Sequence, residues 1–248
     1  MEKIVSWTII NNEIEFIKDI FEYHSPWLDG MYFLDTGSTD GTLEYLKSIQ
    51  SEKVIIEEYH TKFTPQYGKD WLEIKDPFPE VEIRNFALTR VSAIFNPKWL
   101  IQLDGDEVFL EKTREIIEVN KAFDIISHST INPVCKLEDH PIEKRDGKVM
   151  YDPHARIWKA EVWIKYVSNP AFKGKQIHCI PVCNGKHVYY HKKNKWIAEP
   201  FHYHLHWMYG KKTSIKYLDV QHTNLFSGYL PVVFWQRRNN WIASQNIE

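Results

Sequence analysis

One stretch, Trp99–Phe109, limits what this chain can fold into more than any other. Its apolar first half has no helical spacing and comes two residues after Pro97, so we interpret it as a buried strand. A strand that is buried on both faces is typical of the middle of a parallel sheet. Asp104, Asp106 and Glu107 follow it directly, and ligands of open α/β sheets bind beyond the carboxyl ends of the strands.

Three carboxylates within four positions repel one another, and a bound divalent cation would compensate for their charge. Hard cations prefer such oxygen ligands. The alternative is a solvated acidic turn, which a motif this short does not exclude. The stretch therefore predicts a strand that ends in either a cation site or an acidic turn.

Charge is distributed unevenly over the 248 residues, although the net charge is only −2. The segment 144–212 holds fourteen Lys or Arg against four Asp or Glu, a local balance of +10. A basic later half that faces an acidic earlier half suggests an anionic ligand, such as a phosphate, a nucleic acid or a lipid headgroup. A solvated, lysine-rich surface is the alternative.

The three cysteines, Cys135, Cys179 and Cys183, argue against a disulfide framework and fit a reducing compartment. No apolar run reaches membrane-spanning length, and no signal peptide is visible. We therefore expect a cytoplasmic protein and leave peripheral membrane contact open.

Hydrophobic periodicity predicts a β-α-β-α-β order in the first half, hence a parallel sheet with right-handed crossovers. Predicted strands cover 3–10, 30–34, 54–57, 124–127, 155–159, 162–167 and 187–191, besides the strand that leads to Asp104. Predicted helices cover 13–24, 42–49, 80–95 and 113–122. Asn11 and Asn12 are predicted to cap the first helix, Asp40 the second and Thr113 the fourth. Long loops are expected at 59–79, 139–151 and 170–175.

Four short blocks stand in order along the first half: Asn12-Glu13, Asp35–Thr42, Arg84-Asn85-Phe86-Ala87 and Leu103–Glu107. Together they resemble the inverting family-two glycosyltransferases of the GT-A fold. The resemblance implies an α/β fold of the nucleotide-diphospho-sugar transferase type, with a mixed, mostly parallel central sheet flanked by helices. It implies one glycosyltransferase domain over 1–248, with a nucleotide-sugar-binding half at 1–128 and an acceptor-side half at 129–248.

The resemblance also implies a role for each matched residue. The residues implied to bind the nucleotide diphosphate sugar are Asn12, Glu13, Asp35, Arg84 and Asp104. Asp35 would hold the nucleobase, and Arg84 would lie near the nucleobase and the phosphates. Asp104 and Asp106 would bind Mn²⁺ or Mg²⁺, which neutralises the leaving nucleotide. For Arg84 the alternative is a simple ion pair with Glu80, one helical turn earlier.

The second half departs from the family pattern at the place of the catalytic base. Many relatives carry a His-Glu or Glu-Asp pair there, whereas this chain has His178-Cys179. We take Glu199 as the candidate base, because it lies beside a cluster of histidines, and keep Glu161 and Asp152 as alternatives.

Three histidines alternate along the predicted extended segment that follows: His202, His204 and His206. Alternate residues of a strand share one face. These imidazoles therefore either contact a metal ion or a diphosphate, with His204 as the central candidate, or line a solvent-facing strand edge. We favour the first interpretation.

The sequence thus predicts transfer of a sugar from a nucleotide diphosphate sugar to a glycan, lipid-linked or other hydroxyl acceptor, with inversion. No nucleic-acid partner is expected. One alternative is a catalytically inactive nucleotide-sugar-binding module of the same fold. Another is a sugar nucleotidyltransferase, which would need a glycine-rich loop with Arg or Lys after the first strand, and the segment 9–12 has none.

Overall fold

The computed structural model describes residues 2–60, 79–130, 152–168, 179–198 and 201–205. Within these ranges the α-helices are Ile14–His24 (α1), Thr42–Ser48 (α2), Glu80–Phe95 (α3) and Thr113–Val119 (α4). The strands of the first half are Ile4–Ile10 (β1), Gly30–Asp35 (β2), Val54–Glu58 (β3), Trp99–Gln102 (β4), Glu107–Phe109 (β5) and Ile125–Thr130 (β6). Those of the second half are Asp152–Lys159 (β7), Ile164–Ser168 (β8), Cys179–Cys183 (β9), Lys186–His187 (β10), Asn194–Ile197 (β11) and His202–His204 (β12).

A seven-stranded sheet forms the centre of the fold, in the order β11-β6-β7-β4-β1-β2-β3. The strands β4, β1, β2 and β3 run parallel to one another, and β11 runs parallel to β6. Only β7 among them is antiparallel, to both β4 and β6. The mixed, mostly parallel central sheet expected from the sequence is therefore confirmed, and it combines strands from both halves of the chain.

Side-chain alternation along β2 shows how the sheet is covered on both faces. Met31 and Phe33 belong to the apolar cluster that includes α1, whereas Tyr32 and Leu34 belong to the cluster that includes α3. Every residue of β2 is buried, as expected for a parallel strand between two helical layers. Gly30 begins this strand because a Cβ there would lie 2.6 Å from the ring of Phe95 in α3.

Two small sheets complete the described structure. The strands β8, β9 and β10 form an antiparallel sheet, and β12 pairs antiparallel with β5. In the second pair His204 lies opposite Glu107 and His202 lies opposite Phe109. This pairing brings a late segment of the chain onto the acidic turn that follows β4. None of the helices in the described ranges is both long and apolar enough to cross a lipid bilayer.

The predicted helix caps need correction. Thr113 lies inside α4, which begins after Lys112, and its buried hydroxyl caps nothing. The start of α1 is satisfied from another loop, because Asp40 Oδ2 accepts from the Ile14 N–H at 3.1 Å. Asp40 Oδ1 also accepts from the Thr42 N–H at 3.0 Å, so its predicted role at the start of α2 is confirmed.

The first of the two asparagines predicted to cap α1 contacts only its neighbour through its side-chain oxygen, which accepts from Asn12 Nδ2. Asn12 itself has φ +55° and accepts from the Thr39 N–H, so neither Asn11 nor Asn12 caps α1. For α1 the local sequence offered a suitable cap, and a tertiary contact from Asp40 took its place.

The segment 187–191 differs from its predicted strand. The strand β10 ends at His187, and a turn of 3₁₀ helix follows at Val188–Tyr190. His187 Nδ1 accepts from the Tyr189 N–H at 3.2 Å, which stabilises this turn in place of an extended chain.

Candidate functional site at the carboxyl edge of the sheet

The parallel strands bring the predicted site residues to one edge of the sheet. Ile10 pairs with Asp35, so β1 and β2 end together, and Trp7 pairs with Gln102 at the end of β4. Asp104 stands two residues beyond that end. The carboxylates predicted from separate blocks of sequence thus lie on the same side of the fold, beyond the carboxyl ends of the strands.

Asp35 is buried at the end of β2, and its two oxygens differ. Its Oδ1 atom accepts from the N–H groups of Gly37 and Ser38, both at 2.9 Å. Its Oδ2 atom is also buried and has no hydrogen-bond partner among the described residues. A buried carboxylate oxygen without a donor is costly, so Oδ2 can accept from a ligand N–H.

Asn12 and Glu13 connect the loop after β2 with the acidic turn. The Asn12 side-chain oxygen accepts from the Thr39 N–H at 2.8 Å, and the Asn12 N–H donates to Ser38 Oγ at 3.0 Å. Glu13 packs on Gly105, where a Cβ would lie 3.1 Å from Glu13 Cγ. These contacts hold the loop and the turn against each other, and Gly105 permits the close approach.

Asp104 is enclosed by two arginines. Arg156 Nη1 lies 2.9 Å from Asp104 Oδ2, and Arg84 Nη1 lies 3.8 Å from Asp104 Oδ1. Burial alone would raise the pKa of the Asp104 carboxyl, but the two guanidinium groups lower it to about 2. Arg84 also binds Glu80 at 2.7 Å, so the ion pair one helical turn earlier is present, and its predicted position near the nucleobase and phosphates stays a prediction.

Gln102 and Tyr166 fill the space behind the two arginines. In the amide orientation that suits its neighbours, the Gln102 carbonyl accepts from Arg84 and Arg156, and its NH₂ group donates to the Tyr166 hydroxyl. The Arg84 guanidinium lies over the Tyr166 ring, 5.5 Å from its centroid. Arginine stacks well on aromatic faces, so Tyr166 helps to fix its position.

The turn that carries the acids is closed by its own hydrogen bonds. The Asp104 N–H donates to Glu107 Oε2 at 3.0 Å, and the Glu107 N–H donates to the Asp104 carbonyl at 3.1 Å. Glu107 is fully buried, and its other oxygen lies 2.8 Å from Arg156 Nη2. Glu107 therefore shapes the turn from inside and does not face solvent.

His202 does not line a solvent-facing strand edge. It is buried and stacked on Phe109, with ring centroids 4.0 Å apart, and its Nε2 lies 3.4 Å from Glu107 Oε2. Its Nδ1 lies 3.0 Å from His128 Nε2. The solvent-facing alternative is therefore wrong for His202, and its predicted contact with a metal ion or a diphosphate stays a prediction. His206 lies outside the described residues.

His204 and Asp106 face each other, with Nε2 and Oδ2 3.2 Å apart. Burial alone would lower the pKa of His204, but the adjacent Asp106 carboxylate raises it to about 9. The Leu205 N–H also donates to the Asp106 carbonyl at 2.8 Å. The pairing of β12 with β5 thus sets this imidazole against the second aspartate of the turn.

The side chains of the described residues could hold a metal ion only together with ligands from outside the protein. Within the described ranges no three His, Cys, Asp or Glu side chains are grouped to enclose a metal ion by themselves. Mg²⁺ and similar hard cations are often held by one or two carboxylates together with phosphate oxygens. Asp106 and His204 could supply an oxygen and a nitrogen to such an ion, whereas Asp104 is engaged by arginines.

The residues considered for the base fall in different places. Glu199 and His178 lie outside the described residues. Glu161 binds Lys98 at 2.8 Å, and Lys98 precedes β4, so Glu161 lies at the opposite edge of the sheet from Asp104. Burial raises the pKa of the Cys179 thiol to about 12, which keeps it protonated near neutral pH. Neither Glu161 nor Cys179 is placed to act as a base.

Sequence reasoning missed Arg156, although a signal was available. Arg156 shares a face of β7 with Trp158, which is buried, and a charged residue on a buried strand face is rare unless it is paired. Tyr166 was likewise treated only as a strand residue. Neither could be assigned to Asp104 without the strand order, because Arg156 follows the acid by 52 positions.

The chain was compared with family models, curated proteins and solved structures. No family model and no curated protein matches the sequence. Among solved structures, the chain is similar to Staphylococcus aureus TarS 1–349, with 10% identity, a TM-score of 0.47 and coverage of 84% of this chain and 62% of that one. The chain therefore spans less than two thirds of the length of that structure.

Two further solved structures cover nearly the whole chain. One is a nucleotide-diphospho-sugar transferase from Desulfovibrio desulfuricans G20, with 8% identity, a TM-score of 0.44 and coverage of 100% of both chains. The other is a glucose-1-phosphate thymidylyltransferase from Bacillus anthracis, with 10% identity, a TM-score of 0.44 and coverage of 99% and 96%. The chain is similar in fold to these proteins. At such low identity the likeness concerns the fold alone.

Proposed function

We propose that this protein is a metal-dependent glycosyltransferase that moves a sugar from a nucleotide diphosphate sugar to a hydroxyl acceptor, with inversion at the anomeric carbon. One observation carries the proposal. The buried Asp35 Oδ2, which has no partner among the described residues, lies along one edge of the sheet with Arg84 and the pair Asp106–His204, although the chain supplies them from four separate segments. Asp35 could then contact the nucleobase, Arg84 the phosphates, and the pair Asp106–His204 a cation that is bound with the same nucleotide.

In this proposal each group has a separate task. Asp35 Oδ2 accepts from an N–H of the nucleobase, and Arg84 offers positive charge to the phosphates. Asp106 and His204 hold Mn²⁺ or Mg²⁺, which when bound stabilises the negative charge of the leaving nucleoside diphosphate. A carboxylate base takes the proton of the acceptor hydroxyl as its oxygen attacks the sugar. Glu199 remains our candidate for this base.

The proposal is tested first by binding. Nucleoside diphosphates (UDP, GDP, CDP, ADP and dTDP) are titrated into the protein with 2 mM Mn²⁺ or with chelator, in wild type and in Asp106→Asn. At least one nucleotide should bind only with Mn²⁺, and the variant should lose at least about tenfold in affinity, since one charged ligand becomes neutral. The control is Glu52→Gln, an exposed carboxylate before β3 at the opposite edge, which should bind like wild type.

The product then separates the alternatives. A glycosyltransferase releases a nucleoside diphosphate from the nucleotide sugar, whereas a nucleotidyltransferase joins a nucleoside triphosphate to a sugar phosphate and releases pyrophosphate. A module that only binds the nucleotide sugar releases neither. Full turnover of a nucleotide sugar in excess chelator would contradict the metal-dependent mechanism.

A further inference from the structure

We propose that Arg156 is a positioning residue that keeps the acidic turn charge-compensated in the absence of nucleotide, so that the metal ion binds mainly together with the donor diphosphate. This inference rests on the proposed function, because it concerns the same turn. It adds a residue from the second half of the chain and an order of binding.

The Arg156 guanidinium forms a fork between two acids of the turn. One end lies 2.9 Å from Asp104 and the other 2.8 Å from Glu107, and only 11% of the side chain is exposed. A planar guanidinium that binds two carboxylates fixes both charge and geometry. Arg156 therefore fixes where Asp104 and Glu107 stand relative to each other.

The direction of β7 explains how a residue so distant in sequence reaches this turn. Because β7 runs antiparallel to β4, its early residues lie at the carboxyl edge of β4, and Ile157 pairs with Ile101. Arg156 is the next residue toward that edge. A parallel strand in the same position would present its first residues at the opposite edge, away from Asp104.

The two aspartates of the turn consequently have different partners. Asp104 faces two guanidinium groups, from Arg84 and Arg156, which remain charged at any physiological pH. Asp106 faces the imidazole of His204, whose Nε2 lies 3.2 Å from Asp106 Oδ2. A cation that approaches without phosphate thus meets a turn whose charge is already balanced and two fixed positive groups nearby.

A donor diphosphate changes this balance, because its negative charges can face the arginines and the metal ion at the same time. Binding of metal and nucleotide should then be mutually reinforcing, and by thermodynamic linkage each ligand strengthens the other by the same factor. Removing the Arg156 charge should strengthen the binding of the metal alone and weaken this coupling.

The experiment titrates Mn²⁺ alone into the nucleotide-free protein and follows the free ion by electron paramagnetic resonance. Arg156→Met should bind Mn²⁺ at least about fivefold more tightly than wild type, since one nearby positive charge is gone and the Asp104 carboxylate loses its nearer guanidinium partner. Arg156→Lys keeps the charge but not the fork, so its Mn²⁺ affinity should stay within about twofold of wild type. In both variants the nucleoside diphosphate with the strongest wild-type binding should bind more weakly.

The matched control is Arg114→Met. Arg114 also forks between two acceptors, the Trp27 carbonyl and the Asp29 carboxylate, but Asp29 precedes β2 at the opposite edge of the sheet. This variant should leave both Mn²⁺ and nucleotide affinity unchanged. Circular dichroism and melting temperature establish that each variant is folded, and if Arg156→Met does not fold, Arg156→Ala and Arg156→Gln replace it.

Tight, micromolar binding of Mn²⁺ to the nucleotide-free wild type would overturn this inference. So would a neutral variant of Arg156 that binds Mn²⁺ no more tightly than wild type. The proposed function fails separately. Tighter Mn²⁺ binding in Arg156→Met with no turnover of any nucleotide sugar would keep the role of Arg156 and reject the transferase. Turnover of a nucleotide sugar by the wild type, with the same Mn²⁺ affinity in Arg156→Met as in wild type, would keep the transferase and reject the role of Arg156.

Discussion

The two carboxylate oxygens of Asp35 have different partners, so a substitution can test whether Oδ2 binds the nucleobase. In Asp35→Asn the side-chain oxygen can still accept from the Gly37 and Ser38 N–H groups, as Oδ1 does now. The NH₂ group then replaces the open acceptor, so a nucleobase N–H meets a donor. We expect nucleotide affinity to fall about tenfold to a hundredfold, with little change in melting temperature. Isothermal titration calorimetry measures the change.

The control for this variant is Asp29→Asn, which stands just before the same strand at its other end. The Asp29 carboxylate accepts from the Ile4 N–H at 2.8 Å and binds Arg114. Its replacement should lower stability and leave nucleotide affinity unchanged. Equal affinities in Asp35→Asn and wild type would show that the open oxygen is not used by the nucleotide.

At the scale of elements, His24 joins α1 to β5 through one fixed tautomer. Its Nδ1 donates to the Ile20 carbonyl at 2.6 Å, and its Nε2 accepts from the Phe109 N–H at 3.1 Å. A carbonyl can only accept and an N–H can only donate, so the ring is neutral with its proton on Nδ1. Burial lowers the pKa of His24 to about 4.

This lowered pKa predicts an acid-sensitive fold. Between pH 6.5 and about 4 the unfolded state binds a proton at this site and the folded state does not, so stability falls as the pH falls. Below pH 4 the loss of unfolding free energy that is caused by His24 reaches about 3 kcal/mol. Urea unfolding at pH 7.5, 5.5 and 4.5 should show the loss.

The matched variants for this effect are His24→Gln and His60→Gln. Gln offers a donor and an acceptor but does not titrate, so His24→Gln should be less stable at pH 7.5 and lose less stability on acidification. His60 is exposed at the end of the described segment that follows β3, so His60→Gln serves as the control substitution. An identical acid profile in His24→Gln and wild type would assign the acid sensitivity to other groups.

At the scale of the whole molecule, the basic later half and the acidic earlier half of the chain are joined by ion pairs at the candidate site. Arg156 and His204 come from the basic later half, and they bind acids of the earlier half. The same edge would receive nucleotide and metal, so ligands should stabilise the entire fold. A nucleoside diphosphate at a hundredfold excess over its dissociation constant, with Mn²⁺ present, adds about 2.7 kcal/mol.

For a protein of this size that free energy corresponds to a rise in melting temperature of about 5–10 °C. Either ligand alone should give a smaller rise, because their binding is coupled. Differential scanning fluorimetry with each ligand separately and with both measures the effect. A rise for both together that equals the sum of the separate rises would count against the coupling.

The sequence determined the elements of the first half and the edge at which the site lies. The strands β1, β2 and β4 and the helices α1 and α3 are where the periodicity predicts them, because burial of an alternating or helical face is a local property. The order of strands and helices also predicted that Asp35 and Asp104 lie at the same edge of the sheet, because parallel strands have their carboxyl ends on the same side. The resemblance to glycosyltransferases used these same blocks.

Only the tertiary structure decided which groups meet at that edge. The fork of Arg156 on Asp104, the stacking of His202 on Phe109 and the capping of α1 by Asp40 all join segments between 26 and 93 positions apart. Nothing in a local pattern encodes such pairs, because the register of β7 against β4 and of β12 against β5 arises when distant strands pair and their side chains pack. The sequence could therefore place the acids, but only the folded chain could show their partners.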